Sequence, residues 1–154
     1  MNSKLNPYYV SGLVDGEGCF CVSLNNRKND RIEVRLLFEM ELREDDFEIL
    51  NRLKTTLGCG NIYYLNYERY KKWKPHYKYK VSNFKDITEK IIPFFKKYPL
   101  QAKKKYSFEV FCKVAELMLG KKHLTQDGIE EIRKIRMERD SLNALDAHVQ
   151  WGAQ

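Results

Sequence analysis

Two hydrophobic periods alternate along the chain and divide it into helices and strands. An apolar, small-residue helical pattern starts at Pro7, with Asn6 placed to cap it and Pro7 at its first position. After Gly18 the period changes to two: Phe20, Val22 and Leu24 alternate with Cys19, Cys21 and Ser23. Beyond a polar turn at residues 25–30, Ile32, Val34, Leu36, Phe38 and Met40 alternate with Arg31, Glu33, Arg35, Leu37 and Glu39. The two runs predict a long hairpin with one apolar and one charged face. A helix from Asp45 or Asp46 places Phe47, Ile49, Leu50, Leu53 and Leu57 on one stripe and stops at Gly58-Cys59-Gly60. A second strand pair, residues 61–67 and 76–82, flanks a basic loop. A helix over 86–98 ends at Pro99, and Pro93 predicts that it bends or splits earlier. Helices over 102–119 and 125 to about 145 follow, with a frayed tail from Trp151. No repeat and no low-complexity linker interrupts this order, so a single domain is expected over 1–154. Its core spans about 6–119 and its helical extension about 120–147.

The chemistry concentrates where the first helix meets the first strand. Residues 10–18 read Val-Ser-Gly-Leu-Val-Asp-Gly-Glu-Gly, which ends a helix at an acid held between two glycines. Spacing alone favours an ordinary solvated helix end. A divalent-metal ligand, made of the carboxylate and the backbone carbonyls freed beside it, is the alternative.

Charge narrows the partner. The 28 Lys and Arg against 21 Asp and Glu give a net charge of +7, which points to nucleic acid or another anionic surface. The run Arg69-Tyr-Lys-Lys-Trp-Lys-Pro-His-Tyr-Lys-Tyr-Lys80 has six Lys or Arg residues, no acid, and interleaved aromatics. A solvated, lysine-protected strand edge is the other reading of such a run. No apolar run reaches membrane-spanning length, and the N-terminus lacks a signal-peptide arrangement, so a soluble intracellular protein is expected. Cys19, Cys21, Cys59 and Cys112 show no zinc-like spacing with His76, His123 or His148 and are read as reduced thiols.

Residues 10–18 resemble the LAGLIDADG motif position by position, with Val10 for Leu, Ser11 for Ala, Val14 for Ile, Gly16 for Ala and Glu17 for the second Asp. The likeness continues into Phe38-Glu-Met-Glu-Leu-Arg-Glu-Asp-Asp46, which is similar to the family's strand-to-helix junction. Tyr98-Pro-Leu-Gln-Ala-Lys-Lys104 resembles its Pro-Leu…Lys stretch. The chain is thus similar to homing endonucleases of this family over roughly residues 6–119. The resemblance implies an α+β fold, αββαββα with C-terminal helices, in which a curved antiparallel sheet forms a DNA-binding saddle.

It further implies a site-specific double-strand DNA endonuclease, free-standing and intron-encoded, acting on a long and roughly palindromic target. Glu17 would be the acidic metal ligand, with the Gly16 carbonyl second and Asp15 ranked well below. Lys104, ahead of Lys103 and Lys105, would be the basic residue near the attacking water. The implied ion is Mg²⁺, with Mn²⁺ substituting and Ca²⁺ binding without cleavage. One motif per chain implies a homodimer about a twofold axis, with the motif helices approaching at Ser11 and Gly12. The expected DNA-binding residues are Cys21, Ser23, Asn25, Arg27, Lys28, Arg31, Glu33, Arg35 and Leu37, then Lys71, Lys72, Lys74, Lys78 and Lys80. Acids are expected mostly on the helices, leaving sheet and loops basic. One departure stands out: Leu42 occupies a strand-end position where some members place a polar residue near active-site water. The competing function is an RNA-binding maturase or another non-cleaving binder on the same fold, since exposed aromatics stack on unpaired bases. The implied location is an organelle, mitochondrion or chloroplast, or a bacterial or archaeal cytoplasm.

Overall fold

The computed structural model describes residues 3–66 and 73–152, with side chains followed as far as Leu142. Helix α1 (Pro7–Glu17) begins where expected, because the Asn6 side chain accepts the Tyr8 N–H at 2.9 Å and Pro7 sits in the first turn. Strand β1 (Gly18–Asn26) follows without an intervening loop and returns as β2 (Ile32–Arg43). The turn between them passes through Asn29 and Asp30, both at positive φ. Helix α2 (Phe47–Leu57) closes on Gly58 in the left-handed conformation, φ 72°, whose N–H bonds the Lys54 carbonyl. Strands β3 (Asn61–Leu65) and β4 (His76–Val81) complete a four-stranded antiparallel sheet of order β1-β2-β4-β3.

The next helical stretch is split, as Pro93 requires. A short α3 (Phe84–Asp86) leads into a wide turn over Ile87–Ile91, in which Ile92 N–H reaches back five residues to the Ile87 carbonyl. Helix α4 (Ile92–Lys97) then starts with Pro93 in its first turn. A proline there has no N–H to donate, so the widened turn absorbs the missing bond. Helix α5 (Lys104–Leu119) and helix α6 (Gln126–Gly152) follow. Thr125 Oγ1 accepts the Gly128 N–H at 3.0 Å and starts α6. That helix runs past residue 145 because no glycine or proline interrupts 129–151.

Helices α1, α2, α4 and α5 pack on one face of the sheet. Phe20, Phe38, Met40, Tyr79 and Val81 point into the core from the strands, and Val10, Val14, Leu50, Leu53, Phe95, Phe111 and Val114 meet them from the helices. Phe20 is the hub, with ring centroids 4.9 Å from Phe38, 5.1 Å from Phe108, 5.3 Å from Phe111 and 5.5 Å from Phe95. Burying several large aromatics together anchors the sheet against α1, α4 and α5. The opposite phase of the strands, with Cys21, Arg35, Leu37, Glu39, Lys78 and Lys80, lines the other face.

Candidate active site and nucleic-acid face

Glu17 is the last residue of α1 and is exposed, with exposed Gly16 before it and buried Gly18 opening β1. The direct passage from helix to strand depends on Gly18. A Cβ there would lie 2.6 Å from Val14 Cγ1 and 3.0 Å from the Val14 carbonyl oxygen, so a side chain would force strand and helix apart. Val14 O is also the acceptor for the Gly18 N–H.

The start of α5 comes to this junction. Lys104 is half-buried and its Nζ donates to the Gly18 carbonyl at 2.5 Å. Lys103 is exposed, and Lys105 Nζ lies 5.2 Å from the centroid of the Tyr106 ring. Of the three consecutive lysines, Lys104 is therefore the one beside the acidic tip. Asp15 faces the same segment: its carboxylate accepts the Gln101 N–H at 2.9 Å and the Ala102 N–H at 3.2 Å.

Ser11 requires a correction. It was expected at a helix–helix interface between chains, but it is 4% exposed and donates to the Tyr98 carbonyl at 2.7 Å within its own fold. Gly12 and Gly16 do lie on the open side of α1, where an added Cβ would meet nothing within 4 Å. Tyr8 and Tyr9 are exposed on the same helix.

As a metal site the tip offers one carboxylate and backbone carbonyls. Among the described residues no group of three or more His, Cys, Asp or Glu side chains is placed to hold an ion. That donor set fits a hard cation that keeps several waters and completes its shell with phosphate oxygens. It does not fit a closed all-protein cage.

The open face of the sheet follows the strand register. From β1 to β3 one row reads Cys19, Glu39, Lys80, Asn61, and Glu41, Lys78 and Tyr63 form the next across β2, β4 and β3. Toward the hairpin turn come Cys21 with Leu37, Ser23 with Arg35, and Asn25 with Glu33. Acids share this face with the bases, so the expected gathering of acids on the helices does not hold here. Lys80 lies 3.8 Å from Glu39, Lys78 lies 4.0 Å from Glu41, and Glu33 takes ion pairs from both Arg35, at 3.0 Å, and Arg27. The hydrogen bond from Arg35, aided by Arg27, holds the Glu33 carboxyl below its ordinary pKa. Arg27 and Lys28 sit in the hairpin turn, Arg31 just ahead of β2 and Lys74 ahead of β4, all exposed. Lys71 and Lys72 lie outside the described residues.

Two thiols border the acidic tip. Cys19 Sγ and Cys21 Sγ are 2.8 Å apart on the open side. The hydrogen bond from Cys21, with the charge of Lys104 assisting against burial, brings the Cys19 thiol down to about 6, while the same bond and burial push Cys21 up.

The expected face residues did not include Cys19, Glu39, Glu41, Asn61 and Tyr63. The period-two alternation carried the signal for both acids, since they are in phase with Glu33 and Arg35. Leu42, at the strand-end position where some family members place a polar residue, pairs with Tyr77 in the phase of Phe38 and Met40 and packs against the core.

This architecture is found in other proteins. The model of the LAGLIDADG endonuclease family matches residues 10–115. Probable intron-encoded endonuclease 3 of Neurospora crassa is 33% identical over 134 residues, which is 85% of this chain and 24% of that protein. Homing endonuclease I-ApeII of Aeropyrum pernix is 27% identical over 147 residues, 95% of this chain and 83% of that protein. Among solved structures, I-SmaMI bound to uncleaved DNA target in the presence of calcium ions superimposes with a TM-score of 0.76 at 33% identity, covering 84% of this chain and 43% of that one. The homing endonuclease I-TnaI gives a TM-score of 0.76 at 30% identity, covering 88% of each chain. This chain thus spans 24–41% of the first curated relatives it matches.

Proposed function

The chain belongs to the LAGLIDADG endonuclease family, and from that premise we propose that it is a site-specific DNA endonuclease that hydrolyses both strands of a long target. The observation that carries the reading is the junction of α1 and β1. There the exposed Glu17 carboxylate directly precedes Gly18, whose carbonyl accepts the half-buried Lys104 amine, and this supports reading the two as one site.

Each group has a task suited to phosphodiester hydrolysis. The Glu17 carboxylate and the Gly16 carbonyl would hold a divalent cation, Mg²⁺ by its preference for hard oxygen donors, which supplies an activated water and neutralises phosphate charge. Lys104 orients that water by hydrogen bonding, or stabilises the charge that develops on the phosphorane oxygens. The open face grips the duplex. Its lysines and arginines contact phosphates for affinity, and Arg35, Lys78 and Lys80 lie where a strand ribbon in the major groove presents side chains to base edges.

Cutting both strands needs two such tips, and this chain contains one motif. The second comes from another copy of the chain, packed across the open side of α1 at Gly12 and Gly16. A twofold pair of this kind reads a roughly palindromic site. The names of the relatives support an intron-encoded gene.

A duplex target selected from a randomised pool, incubated with protein and Mg²⁺, tests the proposal. Wild type is expected to cut both strands, and Glu17→Gln to bind the same duplex while losing cleavage by about a thousandfold or more. Absence of cutting by wild type, or undiminished cutting by the variant, overturns it in favour of a non-cleaving binder of DNA or of intron RNA.

A further inference from the structure

The motif helix holds the segment that delivers Lys104 at successive points along its own length. Ser11 Oγ donates to the Tyr98 carbonyl at 2.7 Å, near the middle of α1. One turn on, Asp15 Oδ2 accepts the Gln101 N–H at 2.9 Å and Oδ1 accepts the Ala102 N–H at 3.2 Å. Beyond the helix end, Gly18 O accepts Lys104 Nζ at 2.5 Å. Between the first and last of these contacts, Asp15 is the side chain that touches the backbone immediately ahead of α5, whose first residue is Lys104.

The physics of that contact is specific. Amides at and ahead of a helix start have no partner within the helix, and a carboxylate is the side chain that satisfies them best. Two parallel N–H donors on the two oxygens of one carboxylate fix the distance of the segment from α1 and also its rotation. The rotation matters because Lys104 follows the clamped Ala102 by two residues, so a small change there is carried out to the end of a long, flexible side chain. A catalytic amine displaced by about an ångström forfeits much of its rate advantage. Both Asp15 oxygens are engaged by these amides, whereas Glu17, two residues on, is exposed at the tip. The two acids of the motif thus divide between them the two things the site must place, the cation and the amine.

We infer that Asp15 is a positioning residue for Lys104: its carboxylate clamps the Gln101 and Ala102 amides and thereby sets the amine of Lys104 beside the Glu17 tip. The inference rests on the reading of Lys104 as a participant in cleavage, and the test separates the two.

Single-turnover cleavage and duplex affinity are measured for wild type, Asp15→Asn, Lys104→Met and the double variant, with thermal melting of each. Asp15→Asn keeps the size of the side chain but faces one amide with an NH₂ group. Its cleavage rate is expected to fall about tenfold or more, with affinity changed by about twofold at most, because the loss is confined to the reacting geometry. The double variant is expected to cut at the rate of Lys104→Met alone, since a clamp has no effect once the amine is gone. Independent, multiplicative losses in the double variant, or wild-type cutting by Asp15→Asn, overturn the positioning role while leaving Lys104 in place. Wild-type cutting by Lys104→Met overturns the Lys104 reading and the positioning role with it. Should Asp15→Asn melt below the assay temperature, Ala102→Pro removes one donated N–H with the carboxylate intact, and the same rate and affinity pattern is required of it.

Discussion

The two faces of the sheet are built from the same strands and obey opposite rules. On β2, Phe38 and Met40 are 0% and 1% exposed inside a cluster of rings, while Glu39 and Glu41, one residue further on in each case, sit on the open side opposite Lys80 and Lys78. On the inner face each side chain is fixed by contacts with many others, so its identity matters for stability and hardly for recognition. On the outer face Glu33, Glu39 and Glu41 pair with arginines and lysines, partners that on the proposed function would be exchanged for the phosphates and base edges of a duplex. The three acids there hold Arg35, Lys78 and Lys80 in ion pairs, with Arg27 joining from the hairpin turn. On the proposed function a sheet organised this way would separate folding from reading, and substitutions on each face should show the separation.

The largest expected effect is on the inner face. Phe38→Ala removes a ring that meets Phe20, Tyr79 and Phe95, and should cost about 3–5 kcal/mol in chemical denaturation. Target choice by the molecules that remain folded should not change. A shifted target preference in that variant would show that the two faces are coupled through the strand.

Tyr79→Phe is the gentler probe of the same face. The buried hydroxyl donates to the Cys59 carbonyl at 2.8 Å, and burial pushes its pKa far above the usual range. Losing that bond should cost about 1–2 kcal/mol. Because the folded pKa is raised, the stability tied to this hydroxyl is complete below the unfolded value near about 10 and is lost as pH rises beyond it. Alkaline denaturation curves of wild type and Tyr79→Phe should therefore converge as pH climbs. Parallel curves would mean that the hydroxyl does not titrate with unfolding.

The contrast between the faces also explains what the sequence makes legible. Strands, helices, the Pro93 split and the inner face follow from period and punctuation, because burial acts on every second or every third to fourth residue. The acidic tip and the Lys104 segment were legible through a family resemblance, since they are brought together from positions 86 residues apart. Which of three adjacent lysines reaches the tip is a matter of helix phase at the start of α5, and no local pattern encodes it. Leu42 shows the reverse case. Its alternation with Glu41 and Arg43 assigns it to the core, whereas only the family resemblance marks that position as one where other members place a polar residue. Ser11 follows the same logic: a small polar residue suits a helix interface, but its hydroxyl is spent on the Tyr98 carbonyl.

The smallest effect on stability, and the sharpest test of the outer face, is Glu33→Gln. Glu33 is bonded to Arg27 and Arg35, and those bonds hold its carboxyl below the ordinary range. A depressed folded pKa means the paired state persists above the carboxyl's ordinary pKa and is lost only as pH falls through the lower folded value. The triad is thus intact at neutral pH. It is solvent-exposed, so its loss should leave the melting temperature unchanged. Its geometric role is larger, because a carboxylate held by two guanidinium groups fixes the plane of each, and a fixed guanidinium can bond two acceptors on one guanine edge. Selection of targets from a randomised pool should accordingly show relaxed preference at the base pair under Arg35 and unchanged preference elsewhere. A lowered melting temperature with an unchanged target would place Glu33 with the inner face in function, and the separation between the two sides of the sheet would fail at that residue.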